Sequence, residues 1–397
     1  MRRGVWPIRL DRGSVLVTQP HVLIFGASTR AAALSALRAG LRPWCADLFA
    51  DADLQTRCAV QRVSAKEYPR QFLNLVDVDI PGSWMYAGGL ENWPVLVGRM
   101  ERRRPLWGNG NKALTLSRSP WVVADLLRHA GLPCPKIRPP DVQVRANGPW
   151  LIKPLRGAGG RGIETWDGRP IGRRRAYLQR HVPGDSYAAV YLGVANNTKL
   201  LGLTRQLVGK EWTHAAPFRY CGSIGPAPLD ALQRQQLERI GMILATGCGL
   251  NGLFGVDCIL SGQTLWPVEI NPRYTASVEV LEYATGLTAL AHHRQVFETN
   301  APPAIEREPS AVRTVGKAIL FAKADLVFPA SGPWSPVLES PGSIEEMPAF
   351  ADLPEAGQGI RTGQPILTFF TADDSVSACL DTLQQIAADL DRWLFTR

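Results

Sequence analysis

The chain has 397 residues, 45% hydrophobic and 20% charged, the balance of an ordinary globular protein of two to four packed units. No apolar run approaches the ~18–20 residues of a membrane span. Pro7, Arg9, Asp11 and Arg12 break up any signal-peptide core after Arg2 and Arg3, so a cytoplasmic location is expected. The net charge of +9 rests on eight lysines and thirty-six arginines. Its densest clusters, Arg102–Arg103–Arg104 and Arg173–Arg174–Arg175, are short and have no interleaved aromatics to stack on bases. A solvated basic face that attracts anionic substrates is expected, with no nucleic-acid partner and no membrane. The seven cysteines are odd in number and spread out, with no CxxC pair, so they read as reduced core thiols.

In chain order, Val22 to Phe25 form a short apolar run ending at Gly26. A small-residue helix closed by Gly40 follows, and then a second strand over 43–49, a βαβ opening of the doubly wound type. The turn reads GAST and lacks the GxGxxG fingerprint, so it is expected to be scaffold. Ser119 and Pro120 suit the N-cap and first position of a helix over 119–131 that Gly131 stops. Strands are expected over 150–154, 176–182, 186–194 and 200–208, and a helix over 229–247. A hairpin over 254–270 turns at a polar SGQ. The tail contributes three extended runs and a final helix over 375–394.

Two constellations carry chemistry. The first is Lys153 followed by Arg156-Gly-Ala-Gly-Gly-Arg-Gly162. Gly157, Gly159, Gly160 and Gly162 let a loop bring its N–H groups up to phosphate oxygens with no Cβ in the way. It is not a Walker loop, because the lysine precedes the glycines and no GK[ST] ends it. The second is the hairpin carboxylates. Glu269 and Asn271 are two apart and so share a face of an extended chain. A turn centred near Gly262–Gln263 sets Asp257 opposite residue 268 or 269, and a bulge would bring the Asp257 and Glu269 carboxylates together. Facing carboxylates repel unless a cation lies between them, and an oxygen-only set with room for phosphates suits Mg²⁺.

These elements, LIKPLRGAGGRG, YLQRHVPG and GVDCIL…VEINPR, occur together and in order, and with them the sequence resembles the ATP-grasp superfamily. The resemblance is specific over roughly 119–300. It implies an ATP-grasp fold of two α+β subdomains clasping ATP, with a hinge near 180–185. A Rossmann-like domain over 1–118 would precede it and a small β-rich domain over 301–397 would follow. By position, Lys153 would contact ATP phosphates under the 157–162 glycines. Gln179, Arg180, His181 and Val182 would line the adenine, and Asp185 would take the ribose. Asp257, Glu269 and Asn271 would hold Mg²⁺, or Mn²⁺ in its place. Arg273 would stabilise the phosphate or acyl phosphate. The hinge usually opens with glutamate, where this chain has Gln179. Arg118 is the nearest match to the family's other ATP-binding basic residue, with Lys112 a poorer one.

The implied chemistry is carboxylate–amine ligation: ATP converts a carboxylate to an acyl phosphate, which an amine attacks. Arg205 and Arg273 are candidates for holding the anionic substrate, since a guanidinium fork matches a carboxylate. For Arg205 a surface salt bridge is an equal alternative. Tyr274 and the 214–226 loop are candidates for shaping the acceptor site, whereas His214 reads as a polar loop residue. The C-terminal stretch resembles the small domain of biotin carboxylase and of the phosphoribosylaminoimidazole carboxylase ATPase subunit, on the branch of predicted carboligases. Carboxylation from bicarbonate is therefore the alternative chemistry, and a non-catalytic nucleotide-binding protein the second alternative. Related predicted ligases suggest a role in cofactor biosynthesis. A homodimer is compatible with the sequence, which leaves the oligomeric state and both substrates open.

Overall fold

The computed structural model describes residues 19–140, 149–172, 175–194, 197–299 and 313–395. Arg173 and Arg174 of the second arginine cluster, the N-terminal residues up to 18 and the start of the expected C-terminal domain lie outside them.

The opening βαβ is present as His21–Gly26, Arg30–Arg38 and Arg42–Asp47, within a four-stranded parallel sheet ordered 59–62, 42–47, 21–26, 83–86. Both faces of such a sheet are covered, which is why Val22 to Phe25 form an unbroken apolar run, all fully buried. The GAST turn is tied to the neighbouring strand. The Thr29 N–H (2.6 Å) and hydroxyl (2.7 Å) both donate to Asp47 at the end of the next strand.

A small antiparallel sheet follows, ordered 137–138, 176–180, 150–154, 164–165. The helix beside it, Pro120–His129, starts as expected, with the Ser119 hydroxyl accepting from the Val122 N–H. The largest element is an eight-stranded sheet ordered 264–271, 252–261, 185–194, 197–208, 220–225, 314–321, 365–373, 350–351. Helix Ala231–Cys248 covers one face. An Asp230–Gln233 capping box opens it, and Leu237, Ile240 and Leu244 bury against Tyr191, Phe254 and Val256. The C-terminal strands Thr314–Phe321 and Pro365–Asp373 continue this same sheet, pairing onward from Tyr220–Gly225. Helix Val376–Phe395 packs across them through Cys379, Leu383 and Leu390.

One buried charge cluster joins the three parts. Glu279, on the almost wholly buried helix Ala276–Thr285, accepts from Arg30 of the N-terminal helix at 2.7 and 3.0 Å. It also accepts from Lys317 of the C-terminal strand at 2.9 Å. Arg30 turns its Nε to Asp352 at 2.7 Å. The seven cysteines are all free; Cys45 and Cys58 stand 3.7 Å apart, sulfur to sulfur. Among the described residues, no helix is long and apolar enough to cross a membrane.

Candidate active site

The small sheet faces the large one across a cavity of about 620 Å³, whose floor is the 252–271 hairpin and its neighbour strands. The register settles the question that the sequence leaves open. Asp257 pairs with Glu269 and Cys258 with Pro267, so Val268 is the extra residue of a bulge. That bulge sets the two carboxylates opposite each other on the cavity face. Asp257 is further held by Asn271, whose Nδ2 donates to its Oδ2 at 3.1 Å. Gln206 reaches across the intervening 185–194 strand and donates to Asp257 Oδ1 at 3.1 Å.

The roof carries Lys153 at the end of its strand, 7% exposed. Its ammonium donates to Gln179 Oε1 at 3.3 Å and to the carbonyl of the bulge residue Val268 at 3.0 Å. Roof and floor thus meet where the bulge turns a carbonyl outward. The glycine loop runs on from Lys153 and lies against the 214–226 loop, where the Tyr220 N–H donates to the Gly159 carbonyl at 3.1 Å. Gly160 has φ +76°, and a Cβ there would overlap the Phe218 carbonyl. Only glycine permits that approach. Gln179, Arg180, His181, Val182 and Asp185 line the same cavity along its hinge side. The N–H groups of Arg180 and His181 are occupied by the carbonyls of Lys136 and Pro149.

Two arginines hold the floor in place, Arg273 from within the cavity and Arg118 from beside it. Arg118 Nη1 donates to Glu269 Oε1 at 2.8 Å. Arg273 Nη2 donates to Asn271 Oδ1 at 3.3 Å, and its Nε donates to Glu91 Oε1 at 2.9 Å. Glu91, 1% exposed, and Asn92 come from the short 3₁₀ turn Leu90–Asn92 of the N-terminal domain. Neither has a signal in the sequence, being an isolated acid and amide in a turn, and Gln206 is one polar residue of an expected strand with nothing local to link it to Asp257.

Other expected residues fall differently. Arg205 lines the cavity but is paired with Asp185 at 3.3 Å, the surface salt bridge of the alternative reading. Tyr274 does not reach the cavity. It is 4% exposed in the core, and its hydroxyl donates to Glu282 at 3.2 Å. The strand has ended at Asn271, and the irregular segment that follows carries Tyr274 into the core among Val278 and Leu281. His214 pairs with Asp391 of the C-terminal helix at 2.8 Å, a loop residue as expected. Lys112 is exposed on the helix Asn111–Ser117, away from the carboxylates that Arg118 reaches.

The electrostatics of the floor are uneven. Burial and then the neighbouring Glu269 push the Asp257 carboxyl up to about 7. Burial also acts to raise Glu269, but Arg118 and Lys153 outweigh it and hold that carboxyl below its ordinary value. A divalent cation would relieve this strain between two facing acids. Among the described residues, no three His, Cys, Asp or Glu side chains gather into a metal cage. Two carboxylates and one amide are instead the sparse oxygen set that Mg²⁺ uses when phosphates complete its shell. The residues present therefore fit the ion.

Comparison with known proteins agrees with this geometry. Residues 119–277 match the family model of the ATP-grasp domain. The carbamoyl phosphate synthase large chain of Beutenbergia cavernae is 26% identical over 218 residues, 46% of this chain and 19% of that one. The chain thus spans about a fifth of the length of that relative. An L-amino acid ligase from Bacillus licheniformis has the same architecture, with a TM-score of 0.70 at 16% identity, covering 94% of this chain and 97% of that one. Biotin carboxylase from Campylobacter jejuni superposes with a TM-score of 0.67 at 14% identity over 92% of this chain and 90% of that one. Residues 119–277 are thus similar to an ATP-grasp domain, and the chain as a whole has the fold shared by these two structures.

Proposed function

We propose that the chain is an ATP- and Mg²⁺-dependent ligase that activates a carboxylate as an acyl phosphate for attack by an amine. The observation that carries this reading is the facing pair Asp257 and Glu269 on the cavity floor, directly below Lys153 and the glycine loop. Asp257, Glu269 and the Asn271 amide oxygen would hold Mg²⁺, or Mn²⁺ in its place, and the ion would supply positive charge to neutralise the phosphates.

The chain's own groups supply positioning and charge, which is most of what phosphoryl transfer needs. Lys153 places a point charge beside the phosphates, and the 157–162 loop closes over them, the Gly157 N–H itself being taken by Asn92. Arg118 adds a second cation from below. At the hinge, with the Arg180 and His181 N–H groups occupied, recognition of the adenine edge falls to Val182, and Asp185 takes the ribose. Arg273, oriented by Glu91, meets the substrate carboxylate and then the acyl phosphate. Arg205 serves that carboxylate only after leaving Asp185. One carboxylate oxygen attacks the γ-phosphorus as ADP leaves. The amine nitrogen then attacks the acyl carbon, phosphate departs, and the nitrogen loses a proton. An amine arriving deprotonated needs no base from the protein.

With the carboxylate substrate labelled, ¹⁸O should pass from it to phosphate. Incorporation of labelled bicarbonate into the product, in place of that transfer, would overturn the amine-ligase reading in favour of carboxylation. Gly160→Ala provides a second check on the roof. The added methyl group meets the Phe218 carbonyl and strains a positive φ, so the loop must lift. A rise of about tenfold or more in the KM for ATP is expected, measured by steady-state kinetics. An unchanged KM would remove the loop from nucleotide binding.

A further inference from the structure

We infer that Asn92, in the N-terminal domain, is the latch that holds the glycine loop closed and aligns it with the carboxylate floor. The inference rests on the ligase reading for its link to catalysis, while the latch itself stands on geometry.

The Asn92 side-chain amide meets both polar groups of the Gly157 backbone. Its Oδ1 accepts from the Gly157 N–H at 3.1 Å, and its Nδ2 donates to the Gly157 carbonyl at 3.2 Å. This is the two-bond pairing that one peptide makes with another across an antiparallel ladder. The same Oδ1 accepts from Arg118 Nη2 at 3.1 Å, and that nitrogen also donates to the Gly157 carbonyl at 3.2 Å. Arg118 in turn holds Glu269. One amide therefore ties three parts together: the turn after the 83–86 strand, the first glycine of the loop, and an acid of the floor. A second contact lies beside it. The Arg156 guanidinium, one residue before Gly157, sits 5.1 Å over the ring of Trp93, one residue after Asn92.

Each partner explains why the residue is an asparagine. Aspartate would keep the acceptor toward Arg118 and the Gly157 N–H but would set a carboxylate against the Gly157 carbonyl. Leucine or alanine would supply neither bond. Asn92 is thus a positioning residue that acts through Arg118 and Gly157, with no contact to the reacting atoms. In the same turn, Glu91 orients Arg273, so a single 3₁₀ turn governs both arginines of the site.

The test uses the full-length protein and the two arginines of the loop, Arg156 and Arg161, as trypsin sites. In nucleotide-free protein, Asn92→Ala should speed cleavage at these sites about tenfold, the effect of losing two hydrogen bonds, with an unchanged melting temperature. Asn92→Asp should fall between alanine and wild type, a graded response that a scaffold role would not produce. In steady-state assays Asn92→Ala should raise the KM for ATP by a similar factor, more than it lowers kcat. Loop cleavage in Asn92→Ala at the wild-type rate would overturn the latch, as would equal acceleration at every arginine in the chain. A wild-type protein that consumes no ATP would overturn the ligase reading instead, and the nucleotide-free cleavage rate would still decide the latch.

Discussion

Replacing Asp257 with Asn and Glu269 with Gln together is expected to reduce ATP turnover by about 10²–10³-fold or more, the scale of losing preorganised charge stabilisation. The side chains keep their volumes; the one amide oxygen left at position 257 accepts from Asn271, and Gln206 turns its amide over so that its Oε1 accepts from the new NH2. Removing the acids also removes the buried charge and, with it, the Glu269 repulsion that together push Asp257 up to about 7. The double variant should therefore fold normally and melt no lower than wild type. Loss of turnover with retained or raised stability is the signature of a site that stores electrostatic strain for a cation. Turnover that survives both changes would show that the metal is held elsewhere. Phosphate release and a melting curve on the same preparation separate these outcomes.

Glu279→Ala is expected to lower the unfolding free energy by about 3–5 kcal/mol, because it leaves the Arg30 and Lys317 cations facing each other without their shared acid. All three are buried, at 0%, 1% and 4% exposure, so solvent screens the loss poorly. Glu279→Gln keeps the shape and part of the hydrogen bonding and should cost less. A pH dependence accompanies this. Burial acts to raise Glu279, but Arg30 and Lys317 outweigh it and hold the carboxyl near 2, below its ordinary 4.5. A depressed carboxyl stabilises the fold fully above about pH 4.5, and that contribution fades as pH falls towards 2. Urea midpoints should fall more steeply over this window in wild type than in Glu279→Gln. Parallel midpoints in the two proteins would remove Glu279 from the account.

The legible parts of the site were those written in contiguous sequence. Lys153 and its glycines sit at one strand end, and Asp257, Glu269 and Asn271 occupy alternating positions of one hairpin. Hairpin geometry narrowed the partner of Asp257 to 268 or 269, and the bulge at Val268 decided it. Contacts assembled by tertiary packing left no such trace. Gln206 meets Asp257 only through the pairing of three strands, 197–208, 185–194 and 252–261. Glu91 and Asn92 lie in a turn whose relevance depends on docking the N-terminal domain against residues about 65 and 182 positions away. Tyr274 misled for the converse reason: it neighbours Arg273 in sequence but points into the core. Of the three extended runs expected in the tail, 314–321 and 365–373 join the eight-stranded sheet by long-range pairings that local pattern does not carry, while the third is a strand only at 359–360 and pairs with 326–327.

The most direct measurement is an experimental structure of the protein with Mg²⁺ and a non-hydrolysable ATP analogue. The account predicts adenine against Val182, phosphates between Lys153 and the Asp257–Glu269 pair with the metal on those acids, and Gly157 to Gly162 folded over them. Nucleotide bound outside this cavity, or phosphates that approach neither Lys153 nor the two carboxylates, would contradict it.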